Sequence, residues 1–343
     1  MHSVTLIQPD DFHVHLRDSD ALKLTVPQAA AQFNRITVMP NLQPAVDDTE
    51  TALAYLDRIN QHIPSTARLT PLMALYLTPK LTHEELVKAK QAGIDSVKLY
   101  PQGATTNSEQ GVADIKRFED TFAHMAELGI RLLIHGEVSD AGVDIFERES
   151  QFYTLSLPSI VKRHPTLTIV AEHITTQKAI EFVAATADNI AATITPQHLL
   201  ANRNHLLSGG IKPHYYCLPI LKKESDRLAL LKVATSGSPK FFLGTDSAPH
   251  ATGTKENACG CAGCYSMPYA IEYYAEAFDS VGKIDKLSDF AGRFGAEFYG
   301  LPLNDSRIEL VKRPQTIADN FAYLDETITP FLSGHVLSWS KAS

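Results

Sequence analysis

At 343 residues, with 44% hydrophobic and 20% charged side chains, the chain has a globular composition that excludes a disordered protein. A formal net charge of −8 argues against a nucleic-acid surface, yet leaves room for a small anionic substrate wherever a local metal or arginine outweighs the overall field. No apolar run approaches the ~20 residues of a membrane span, the N-terminus lacks a signal-peptide core, and four cysteines do not make a disulfide scaffold, so a cytoplasmic protein is expected.

After a short apolar lead-in (Val4 to Ile7), the first strand is expected at 10–15 and carries Asp11-Phe-His-Val-His-Leu-Arg17. Residues i and i+2 of a strand share a face, so His13 and His15 can reach one metal ion, with Arg17 continuing on that side. Apolar, β-branched runs predict further strands at 35–39, 70–75, 95–99, 130–134, 167–171, 189–194 and 241–245. Helical spacing fills 49–62, 82–92, 112–128, 152–163, 175–186 and 225–235, several with Thr, Ser or Asp caps, and closing helices are expected at 268–280 and 285–298. Strand and helix alternate about eight times, which implies a parallel α/β sheet closed into a (β/α)8 barrel of the TIM type. An open doubly wound sheet is the alternative; it normally shows a Gly-rich phosphate loop after an early strand, and none is present. No Pro/Gly/Ser-rich linker divides the chain, so one domain over 1–343 is expected. The strand-poor stretches 196–240 and 246–267 are the expected site-building loops.

The candidate ligands fall in a pattern. His13 and His15 close the first strand, Lys98 lies near the end of the fourth, and His135 ends the fifth. His173 follows the sixth and Asp246 the eighth. In a parallel barrel those carboxyl ends meet at one rim, where imidazole and carboxylate suit zinc and its neighbours. The remaining histidines apart from His250 read as helix-face or loop residues. Cys259-Gly-Cys-Ala-Gly-Cys264, with Cys217 at a distance, reads in two ways. It is either a structural metal site or, as we favour, a backbone that glycine lets approach closely, with thiols as small apolar filler. Gly103-Ala-Thr-Thr106 reads equally as an ordinary strand-to-helix loop or as a lid.

These residues, with Met39-Pro-Asn41, Val97-Lys-Leu-Tyr-Pro101, Ile134-His-Gly-Glu137, Glu172-His173, Pro213 and Gly244-Thr-Asp-Ser-Ala-Pro-His250, resemble the amidohydrolase superfamily and, within it, the stand-alone dihydroorotase family. The resemblance spans nearly the whole chain. It implies two zinc ions, with His13, His15 and Asp246 on the more buried one and His135 and His173 on the more exposed one. Lys98, carboxylated on its amine, and a hydroxide would bridge them. It further implies that the hydroxide attacks the ring carbonyl while Asp246 relays its proton. Carbamoyl aspartate and dihydroorotate would thereby interconvert in pyrimidine biosynthesis. Arg17, Asn41 and His250 would grip the ring carboxylate, and backbone at Leu218 and Ala262 would meet the ring amide. Thr105 and Thr106 would close over the substrate, and the chain would act as a cytoplasmic homodimer. Formal charge at such a centre leaves a positive remainder that Arg17 augments. Two rival readings are a hydantoinase or allantoinase sharing the ligands, and a non-catalytic barrel kept as a scaffold. Arg17 and Asn41 favour a ring carboxylate over a neutral ring, and the intact ligand set disfavours a scaffold.

Overall fold

The computed structural model describes residues 2–258 and 260–342, so expectations about Cys259 lie outside the described residues. Eight strands lie where the apolar runs predict them. They are β1 Asp10–Val14, β2 Arg35–Val38, β3 Thr70–Met73 (continuing as Leu75–Tyr76), β4 Ser96–Leu99, β5 Arg131–His135, β6 Ile169–Glu172, β7 Ile190–Ile194 and β8 Phe241–Leu243. Each pairs in parallel with the next. The two ends also meet. Val14 bridges Ser247 in parallel, Asp246 N donates to His13 O at 2.9 Å, and His15 N donates to Ser247 O at 3.1 Å. The sheet therefore closes into a (β/α)8 barrel.

Helices connect the strands, including α1 Leu22–Gln32, α2 Thr49–Asn60, α3 His83–Gln91, α4 Glu119–Leu128, α5 Leu157–Arg163, α6 Gln177–Ala185, α7 Glu224–Ala234 and α8 Ala270–Asp279. Side chains of Asp48, Thr82 and Thr176 cap α2, α3 and α6 by accepting from Thr51 N, Glu85 N and Ala179 N. Some boundaries differ from expectation. The helix predicted over 112–128 begins as a 3₁₀ turn at Ile115–Phe118, because Val112 instead bridges Pro101. The segment expected at 152–163 starts at Arg148 and passes through a π-helical turn, Phe152–Ser156. Helix α1, unanticipated in sequence, carries Pro27 in its interior. Strands Ser3–Ile7, Arg307–Val311 and Ser340–Lys341 form a small antiparallel sheet from both termini.

The barrel lumen explains how the site is held. Phe12, Met39, Ala74, Leu133, Val170, Ala191 and Phe242 pack as one buried layer with Phe294 and Tyr299. Removing the Phe12 ring would cost about 3–5 kcal/mol. Two residues further along β5, β6 and β7, on the same face, the side chains become His135, Glu172 and Thr193. Apolar packing thus gives way to polar chemistry within one pleat. On β1 the register shifts between Asp11 and Val14, and a bulge of this kind re-aims side chains. Phe12 fills the lumen while its neighbour His13 still reaches the rim. Buried Asp11 accepts from Thr245 N (2.8 Å), Thr245 Oγ1 (2.6 Å) and His13 N (3.0 Å), tying β1 to the end of β8. At Gly244 a Cβ would lie 2.6 Å from Thr193 Cβ, so a larger residue would push β8 off β7.

A candidate metal centre at the barrel rim

His13, His15 and Asp246 converge on one point. His13 Nε2 lies 3.4 Å from His15 Nε2, and Asp246 Oδ1 lies 3.2 Å and 3.1 Å from those two nitrogens. A tetrahedral ion with ligand bonds of about 2.0–2.1 Å has ligand-to-ligand edges of about 3.3–3.4 Å. The trio therefore fits a zinc-sized cation. All three are buried, and His15 Nδ1 has no hydrogen-bond partner among the described residues.

The second group is His13, Glu172 and His173. His13 Nδ1 approaches Glu172 Oε1 at 3.1 Å without hydrogen-bonding geometry, and His173 Nδ1 has no partner among the described residues. The His173 ring stacks edge-on between His13 (5.0 Å) and His135 (4.8 Å). His135 Nε2 faces Glu137 Oε2 at 2.7 Å, placing it beside both groups but in neither. Lys98, wholly buried, contacts Glu172 Oε2 through its Nζ. All six sequence-predicted ligands therefore share one rim, and His135 and Lys98 hold carboxylates there.

Electrostatics in the cluster express a demand for cations. Burial alone would lower the His13 imidazole, yet Glu172 and Asp246 outweigh it and raise it to about 9. Burial lowers His15 to about 4. Burial pushes the Lys98 ammonium down against the pull of Glu172. Against burial, His13 and His15 hold the Asp246 carboxyl well below the usual carboxylate range. The buried carboxylates of Asp246, Glu172 and Glu137 thus face the imidazoles of His13, His15 and His135 and the desolvated Lys98 amine, a set that bound divalent cations would balance.

Backbone strain marks the same rim. Arg17 (φ 60°), His173 (φ 43°) and Asp246 (φ 48°) adopt left-handed conformations that side-chain-bearing residues rarely take. Arg17 donates through Nε to Pro249 O at 3.1 Å and faces His250 Nε2 through Nη2 at 2.9 Å. Its Nη1 is buried without a partner among the described residues. Asn41 Nδ2 donates to Thr106 O at 3.0 Å, and Thr106 Oγ1 to Ala262 O at 3.4 Å. The 103–108 loop thus spans from Asn41 to Ala262, with Thr105 N donating to the Ser108 hydroxyl oxygen at 2.9 Å. Leu218 lies two residues beyond Tyr216, whose carbonyl accepts from Gly263 N at 2.9 Å, so its segment runs beside Ala262.

Sequence reading gave no role to Glu172 or Glu137. The available signal was a carboxylate ending the otherwise apolar run Ile169-Val-Ala-Glu172, buried at zero side-chain exposure. Glu172 adds a further buried negative charge to the rim.

Ligand-bearing strand ends arranged around a closed barrel define a hydrolase of the amidohydrolase superfamily. A solved L-hydantoinase (dihydropyrimidinase) from Arthrobacter aurescens shares the fold, with a TM-score of 0.83 at 15% identity over 98% of this chain and 82% of its own. No protein-family profile matches the chain. A dihydroorotase from Teredinibacter turnerae is 54% identical over 337 residues, covering 98% of both chains. The crystal structure of a Saccharomyces cerevisiae dihydroorotase in complex with 5-fluoroorotic acid superposes with a TM-score of 0.91 at 32% identity, covering 100% of this chain and 99% of that one. The chain belongs to the dihydroorotase family, hydrolases that act on a cyclic amide.

Proposed function

We propose that the chain interconverts N-carbamoyl-L-aspartate and L-dihydroorotate at a two-zinc centre. His13, His15 and Asp246 would hold one ion and His135 and His173 the other, with Lys98, carboxylated on its amine, as a shared ligand. The observation that carries this reading is the unpartnered, buried Arg17 Nη1 on the rim that also gathers the ligand trio: a cation beside a metal-competent cluster calls for a ring bearing a carboxylate. When bound, the metals polarise the scissile carbonyl and make water nucleophilic near neutrality.

The chain's own groups do the rest. Arg17, Asn41 and His250 orient the ring carboxylate, and backbone at Leu218 and Ala262 meets the ring amide. Asp246 takes the proton of the attacking water and passes it to the departing ring nitrogen. Thr105 and Thr106 close the rim against bulk water. Carboxylation turns Lys98 from the partner of Glu172 into its like-charged neighbour, a change that only the two dications offset. Lys98→Arg tests the centre: a permanent cation cannot form the carbamate. The variant should fold yet hold less than half the wild-type zinc and turn over no dihydroorotate; full metal content would refute the bridge.

Cytoplasmic residence and a homodimeric state belong to the same reading. That Cys217, Cys261 and Cys264 form no disulfide among the described residues supports the first, and family resemblance the second.

A further inference from the structure

The Cys259–Cys264 segment, left without a role by the ligand set, contains the backbone at Ala262, and what holds that backbone is a buried cation. Lys255 is only 4% exposed and makes no ion pair among the described residues. Its Nζ donates to Gly263 O (2.6 Å), Cys261 O (2.9 Å) and Tyr216 O (3.2 Å), which uses all three ammonium protons. Burying an ammonium is costly unless every proton is satisfied, so these carbonyls are bound firmly.

The peptide geometry turns this into a statement about Ala262. In extended chain, the N–H and C=O of one residue point to one side and those of the next to the other. Cys261 sends its N–H to Thr254 O (3.0 Å) and its C=O to Lys255, away from the rim. Gly263 likewise sends its C=O to Lys255 and its N–H to Tyr216 O. Ala262, between them, faces the other way. Its carbonyl is met by Thr106 Oγ1, and its backbone bonds His250, both on the rim. Gly263 makes the close approach possible: at φ +150°, a Cβ there would lie 2.7 Å from Ala248 Cβ and 2.9 Å from His250 Cδ2.

We infer that Lys255 is a positioning residue: by gripping the carbonyls on either side of Ala262, it presents the Ala262 donor–acceptor pair to the ring amide of the substrate. The inference rests on the proposed reading of Ala262 as a substrate contact. It separates two tasks on one rim, with Arg17 meeting the carboxylate and Lys255, from behind the loop, setting recognition of the amide.

The test compares Lys255→Met with wild type for dihydroorotate KM, kcat, zinc content and thermal midpoint. The expected result is a KM raised at least tenfold, a kcat within about threefold, and unchanged zinc. A lower midpoint with unchanged KM would make Lys255 merely structural and overturn the inference. Should Lys255→Met fail to fold, Lys255→Arg decides. Its planar fork cannot meet three carbonyls at one point, so KM should still rise several-fold, and an unchanged KM overturns the proposal. Wild-type protein inert toward dihydroorotate would instead sink the family reaction. Active wild type with indifferent Lys255 variants would sink this inference alone.

Discussion

Arg17 commits two of its three nitrogens to Pro249 and His250, and among the described residues nothing partners Nη1. Removing one member of a buried charged pair costs about 2–5 kcal/mol. Arg17→Met should therefore lower kcat/KM for dihydroorotate at least thirtyfold while zinc content stays at the wild-type level. Arg17→Lys should recover little, because a point charge cannot reproduce a planar fork already anchored through two of its nitrogens. Steady-state kinetics with metal analysis checks both, and a fully active Arg17→Lys would contradict the carboxylate grip. At this scale the sequence singled out six candidate ligands that the fold gathers on one rim, because imidazole pairs and strand-end positions are distinctive. It did not reveal the roles of Glu172 and Glu137, because a carboxylate beside a histidine in sequence reads as a solvated neighbour until the barrel turns it inward.

Each barrel element was legible through its apolar run, and β1 to β8 start and end within about two residues of expectation. Helix α1 was not, since Pro27 interrupts the pattern that normally announces a helix. The terminal sheet escaped as well: Ser3–Ile7 pairs with Arg307–Val311, and no local pattern records a partner so distant in sequence. The 103–106 segment reads as a lid or as an ordinary connecting loop, it touches Asn41 and Ala262, and kinetics separates the two. Thr105→Ala combined with Thr106→Ala should slow turnover about tenfold or more, with zinc retained. Unaltered kcat and KM in that double variant, measured by steady-state kinetics, would return the segment to an ordinary connecting loop.

Taken whole, the molecule builds one polar layer on one apolar layer. Leu133, Val170 and Ala191 fill the lumen, while His135, Glu172 and Thr193, two residues on, face the chemistry. Closure of the barrel through Asp11, Thr245 and the β1 bulge brings His13 and His15 against Asp246, residues separated by 231 positions or more. Ring closure converts a dianion into a monoanion and water, and so consumes one proton. The equilibrium ratio of ring to open form should fall about tenfold for each unit of rising pH. The decisive measurement follows ring opening of dihydroorotate by the zinc-loaded protein at alkaline pH, with hydantoin and allantoin in parallel. Rapid opening of dihydroorotate alone is expected. Opening of only the neutral rings would contradict the assignment of Arg17, and no turnover of any ring with zinc bound would contradict the enzyme itself.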